Sequence, residues 1–196
     1  MRTGRPRSVS DEAIFEAVTA LVTELGPSGL TLAAMAHRVG LSAPALTQRF
    51  GSKRSLLLAH AAAAATGIED PFNRARSTSP TALSALRAAL LELTAGIDSR
   101  DALANHLALL HLDLTDPQLG AHAAKQSRLL RRAITRLLNE AISDGEISPT
   151  DPTELADTVY TIYNGALVTW AIDGTGSLTR WLSKRLDRVL AHHQPA

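Results

Sequence analysis

Apolar residues return at every third or fourth position along almost the whole of this 196-residue chain, and alternating β-branched runs are absent. That spacing lines one face of an α-helix and would scatter over both faces of a strand, so the chain reads as all-α. Glycine and proline set the breaks. The first amphipathic stretch opens at Ser8 or Ser10, where a hydroxyl accepts from exposed amides and Asp11 and Glu12 oppose the helix dipole. Ile14, Ala17, Val18, Leu21 and Leu25 form its inward stripe, and Gly26-Pro27 ends it. Thr31 caps a short second helix that faces inward through Leu32, Met35, Ala36 and Val39, with Gly40 supplying the permissive backbone beyond it. Ser42 caps a third. After Gly51-Ser52 an alanine-rich helix spans about 53–66, and residues 69–80 (EDPFNRARSTSP) read as a loop. Further helices are expected at about 81–97, 101–113, 116–143, 152–172 and 178–192, about nine in all.

With 45% apolar residues such a chain can bury a sizeable core. It contains no cysteine, which excludes a disulfide framework, a thiol nucleophile and a cysteine-based zinc site. The N-terminus starts basic and turns acidic without an apolar signal segment, and no stretch reaches the roughly 20 apolar residues of a membrane span. A soluble, cytoplasmic protein with no membrane partner is therefore expected. Net charge is only +1, which speaks against a general nucleic-acid coat. The distribution is uneven, however: residues 1–60 carry seven Lys/Arg against four acids, giving +3, and the remainder thirteen against fifteen, giving −2. A basic N-terminal module joined to a mildly acidic one makes nucleic acid a candidate partner of the first.

Within that module the stretch Gly40–Leu57, GLSAPALTQRFGSKRSLL, joins apolar anchors to polar donors. Leu46 and Phe50 are its large apolar pair four residues apart; at about 100° per residue, placing them inward turns Pro44 and Gln48 outward, flanked by Thr47 and Arg49. Two helices joined by Gly40-Leu41-Ser42 form a helix-turn-helix, whose second helix enters the major groove. Glutamine pairs with adenine and arginine with guanine, whereas Lys53 and a capping amide suit phosphate. A solvated helix also shows polar residues outward, so periodicity alone leaves both readings standing. The arm Met1–Arg7, with Arg2, Arg5 and Arg7, suits either a minor groove or a solubilising tail.

From Ser10 to about Leu58 the chain resembles the DNA-binding domain of the tetracycline-repressor-like (TetR) family of bacterial regulators. That family's typical run is a Gly-hydrophobic-Ser turn, a Leu-Tyr-Tyr-His-Phe-type helix, a Ser-Lys and a Leu-Leu. Thr31, Met35, Ala36, Gly40, Ser42, Leu46, Phe50, Ser52, Lys53, Leu56 and Leu57 match. Thr47, Gln48 and Arg49 stand where the family usually has aromatics, so individual contacts, including a common tyrosine phosphate contact, do not carry over. The resemblance implies a flexible basic arm (residues 1–9), a helix-turn-helix domain (10–52) and a helical ligand-binding and dimerisation domain (53–196). The candidate DNA contacts are Thr31, Ser42, Ala43, Pro44, Thr47, Gln48, Arg49 and Lys53, with Arg5 and Arg7 of the arm.

In the C-terminal part, polar or aromatic groups inside apolar helices are the candidate ligand contacts: His106, His111, Asp113, Tyr163, Asn164 and Trp170. The helix at 152–172 is apolar over more than half its circumference, and the last helix adds another broad stripe. Leu155, Val159, Ile162, Trp181, Leu182, Leu186 and Val189 are accordingly expected at a homodimer interface, a monomer closing one core being the alternative. His106 and His111 are five apart and His192-His193 lies in the tail, so neither a metal site nor any other cofactor is expected. The leading function is a dimeric, ligand-responsive repressor that binds a pseudo-palindromic double-stranded operator and is released by a small-molecule effector. A helical enzyme or metal-binding protein using the C-terminal cavity and a nonspecific architectural DNA binder are the alternatives, the first without a catalytic signature.

Overall fold

In a computed structural model, which describes residues 9–195, the protein is a bundle of ten α-helices with no strand among the described residues. Arg5 and Arg7 of the arm lie outside them. The helices are α1 (Asp11–Gly29), α2 (Leu32–Arg38), α3 (Ala43–Phe50), α4 (Lys53–Gly67), α5 (Asp70–Thr78), α6 (Ala82–Glu92), α7 (Arg100–Thr115), α8 (Pro117–Ser143), α9 (Pro152–Asp173) and α10 (Leu178–Ala191).

Hydroxyl and carboxylate caps start most of them. Ser10, Thr31, Ser42 and Ser52 each accept an amide three residues on, at the heads of α1 to α4, and Asp116 and Asp151 do the same work for the Pro-led α8 and α9. Gly26 interrupts α1 with φ 68° and ψ 175°, a conformation essentially confined to glycine. Leu25, expected inward, is exposed, and Gly26, Pro27 and Leu30 at and beyond the break are buried instead.

Two apolar cores result. Ile14, Val18, Met35, Leu46, Leu56 and Leu57 close the first beneath α1–α4. Phe72, Leu86, Ile134, Leu138, Val159 and Leu182 are fully buried in the second, built from α5, α6, α8, α9 and α10 with Leu103 of α7. Neither is sealed off from the other. Helix α4 gives Leu56 and Leu57 to the first, and Ile68 just beyond its end joins the second. Helix α8, about 40 Å long at 1.5 Å per residue, sends Leu119 into the first and Leu137 into the second.

Three expectations change. Residues 69–80, read as a loop, contain α5: Ile68, Phe72 and Ala75 share one helical face and are buried, and Arg76 Nε donates to Glu140 of α8 at 2.6 Å. The helix expected over 81–97 stops at Glu92, followed by a turn through Gly96 at φ 85°. Leu155, Val159, Leu182 and Leu186, expected between subunits, are buried at 3%, 0%, 0% and 1% exposure inside the chain's own second core. Their stripes cover one another across α9 and α10, leaving only Ile162, Trp181 and Val189 of that set partly exposed.

The break in α1 is also where it meets α7: a Cβ built on Gly26 would lie 2.6 Å from Asn105 Oδ1. Gly26→Ala is therefore expected to destabilise the fold by about 1–3 kcal/mol from backbone strain, with the clash adding to it, read as a lower urea midpoint at unchanged slope.

Candidate DNA-binding surface and internal cavity

Leu46 anchors α3 with 0% exposure, and Phe50 packs its ring on Phe15 of α1, centroids 6.2 Å apart. Pro44, Thr47, Gln48 and Arg49 are exposed on the opposite side, and Ala43 is half-buried. The turn before α3 is held by the amide of Leu41 donating to the Ala36 carbonyl at 2.8 Å, with Gly40 at φ 70°. Helix α3 thus stands on α2 at a fixed angle, with a short polar face turned to solvent.

The polar side chains on this face divide by what they already bind. Thr31 and Ser42 accept from the amides of Ala34 and Ala45 as helix caps. The Thr47 hydroxyl donates to the Ala43 carbonyl. Arg49 turns back on the protein: it donates to the Val9 carbonyl at 2.6 Å and pairs with Asp11. Lys53 donates to the Pro27 carbonyl at 2.7 Å, fastening the head of α4 to the break in α1. Gln48 alone of the outward long side chains on α3 makes no hydrogen bond among the described residues.

Behind this face lies a cavity of about 460 Å³ walled by α1, α4, α7, α8, α9 and the turn that follows α6. His106, Tyr163, Asn164 and Asp113 line it. His111 is exposed and outside the lining, while Trp170 is buried in the second core, its indole N–H donating to the Gly176 carbonyl at 3.2 Å. Residues the sequence did not single out complete the wall: Thr19 of α1, His60 of α4, Thr94 beyond α6 and Gln126 of α8. Nothing local sets them apart, since Thr19 is exposed, His60 and Gln126 are half-buried and Thr94 is buried in a turn; what brings them together is the packing of segments tens of residues apart. Among the described residues no group of three potential metal-ligating side chains gathers, and no helix is long and apolar enough to cross a membrane.

Two histidines connect the cavity to the first helix. His60 Nε2 pairs with Thr19 Oγ1 at 3.0 Å and its ring meets Phe15 edge-on, and His106 Nε2 pairs with Thr23 Oγ1 at 2.9 Å. Asn105 Nδ2 donates to the Thr23 carbonyl at 2.9 Å. Burial first, and the neighbouring His106 second, push His60 down to about 4, and burial lowers His106. Burial alone raises Asp113 to about 6 and moves Tyr163 well above its usual range.

A histidine whose folded-state pKa lies below its unfolded value leaves the unfolded chain holding more protons, so acidification favours unfolding. With His60 moving from an ordinary 6.5 to about 4, it removes on the order of 2 kcal/mol of stability between pH 7 and pH 5. Asp113, which burial raises, acts in the opposite sense over the same range, so the His60 contribution is read by difference: His60→Gln should lose less stability between pH 7 and pH 5 than the parent protein by on the order of 2 kcal/mol in urea titrations, and an equal change in the two proteins would exclude His60 as a source.

Residues 14–60 match the model of the family described as bacterial regulatory proteins, tetR family. No curated protein matches the sequence. The fold resembles the solved TetR transcription regulator from Haloarcula marismortui ATCC 43049 at 19% identity and TM-score 0.74, covering 94% of this chain and 98% of that one. It also resembles a TetR/AcrR-family regulator from Thermobifida fusca (22% identity, 94% and 98% coverage, TM-score 0.65). A third similar structure is the TetR-family regulator PfmR from Thermus thermophilus (21%, 91% and 97%, TM-score 0.62). At such identities the solved structures speak for the fold, and the matched segment coincides with the helix-turn-helix built above. Residues 14–60 are thus similar to the DNA-binding segment of the tetR family of bacterial regulatory proteins, and the chain as a whole has the fold of the solved regulators named above.

Proposed function

We propose that the protein is a cytoplasmic repressor that binds a pseudo-palindromic operator as a homodimer and is released when a small molecule fills the internal cavity. The observation that carries this reading is the identity of the cavity's walls. Helices α1 and α4, which frame the recognition helix α3, contribute Thr19, Val22, Leu57 and His60 to the same space as α7 and α9. An occupant that fits one arrangement of these helices better than another shifts the spacing of the two recognition helices; equal affinity for both would shift nothing. In this division of labour residues 10–52 read DNA, the arm with Arg5 and Arg7 follows a minor groove, and residues 53–196 hold effector and partner.

Gln48, exposed and unpaired among the described residues, is assigned to base readout, with Thr47 and Pro44 beside it. Thr31, Ser42 and Ala43 lie where helix-end amides meet phosphate, and Lys53 and Arg49 contact phosphate by exchanging their present partners. The partner subunit is assigned to the outer face of α9. Thr158, Thr161, Gly165, Val168, Thr169 and Ile172 form an exposed arc without a charged residue, and Ile162, Trp181 and Val189 flank it. Small side chains let two helices approach to about 8–10 Å, and a standing dimer needs roughly 2,000 Å².

Sites selected from random DNA should show two half-sites about one helical turn apart, and a small-molecule screen against that complex should identify releasing ligands. Gln48→Ala is expected to lose about 1–3 kcal/mol on the selected site and to relax base choice at one position of each half-site; unchanged discrimination across a randomised library would remove Gln48 from readout.

A Cβ on Gly165 meets nothing within 4 Å, so the protomer tolerates a side chain there. Gly165→Arg should keep its helical circular dichroism yet sediment as a monomer and bind operator at least about tenfold more weakly. A dimeric variant would place the interface elsewhere.

A further inference from the structure

The walls of the cavity are apolar on most sides and carry charge of one sign. Among the described residues no lysine or arginine lines it, and Asp113 of α7 is its one formally charged side chain. No hydrogen bond or ion pair among the described residues engages that carboxylate, and burial is the sole cause of its shift toward 6. Every other titratable group on the walls is neutral at physiological pH: His60 from α4, His106 from α7 and Tyr163 from α9. Helix α1 adds Thr19 and Val22, the segment after α6 adds Leu93, Thr94 and Ile97, and α8 adds Leu119, Ala123 and Gln126, none of them titratable. An anion entering this space meets a like charge and no counter-ion, which costs it its hydration without replacement. A neutral body is accommodated by the leucines. A cation gains a partner that water screens incompletely.

We propose that the cavity is selective for a monocationic, amphipathic amine, with the ammonium against Asp113 and the apolar body among Leu57, Leu107, Leu110 and Leu167. This rests on reading the cavity as the effector site, but it is tested on the DNA-free protein, so that a failure of charge selection and a failure of regulation are told apart. At about 460 Å³ the space suits a ligand of drug-like size. The amine binds the ionised carboxylate, so ligand binding draws the Asp113 proton off and affinity falls as the pH drops below about 6.

The experiment is equilibrium titration of the purified protein with three probes that share a 1-naphthylmethyl body: 1-naphthylmethylamine, 1-naphthylmethanol and the 1-naphthaleneacetate anion. The amine is expected to bind at least about tenfold more tightly than the alcohol, and the acetate most weakly. Asp113→Asn should erase the amine's advantage while the alcohol's affinity stays within about twofold, which also reports that the cavity is intact. Between pH 7.5 and pH 5 amine affinity should fall about tenfold and alcohol affinity should not. Tightest binding by the acetate, parity of amine and alcohol, no amine binding at millimolar concentration, or an unaltered preference in Asp113→Asn each overturn the proposal. Amine selectivity without release of operator DNA leaves the ligand class standing and counts against the effector reading.

Discussion

The packing of α1 against α7 is the constraint on which the rest of the molecule depends. One side of α1 supplies Ile14 and Val18 to the core under the recognition helix; another carries Thr19 and Thr23, which bond histidines at the cavity. Asn105 closes the seam from α7 by donating to the Thr23 carbonyl, and the close approach of its side chain leaves room for nothing larger than glycine at position 26. Because interiors are close-packed, a shift of α7 is taken up by α1 rather than absorbed between them. The helix that supports α3 is thereby also a wall of the cavity.

Burial sets the electrostatics of that wall. A carboxyl and two imidazoles share a confined apolar space, and each moves toward its uncharged form: His60 and His106 downward, Asp113 upward. The imidazoles stay neutral and accept or donate to threonine hydroxyls across the seam. The carboxyl, with no such partner among the described residues, remains the group whose charge a ligand can stabilise.

What was legible in the sequence was local. The spacing of Leu46 and Phe50, the caps at Thr31, Ser42 and Ser52, and the glycine at position 40 lie within about twenty residues of one another, and each acts through its own helix or turn. Helix α5 escaped because its charged and hydroxylated residues hide a face of only Phe72 and Ala75, although Asp70-Pro71 repeats the pattern that opens α8 and α9. The stripes of α9 and α10 correctly announced that something covers them. Periodicity does not say whether the cover is another helix of the same chain, and Leu155, Val159, Leu182 and Leu186 turned out to be covered from within. His60 and Thr19, forty-one residues apart, became neighbours only through tertiary packing.

Arg54 clamps Asp116 with two bonds of 2.8 and 3.0 Å and reaches Gln118 as well, while the same Asp116 carboxylate caps the first turn of α8. The start of α4 and the start of α8 are thus pinned at one point, some sixty residues apart along the chain. Exchanging N-terminal segments between proteins of this fold, with a junction anywhere between these two positions, would separate the pair and leave an acid or a base without its partner where α4 meets α8; chimaeras of this architecture keep their register when both residues travel together.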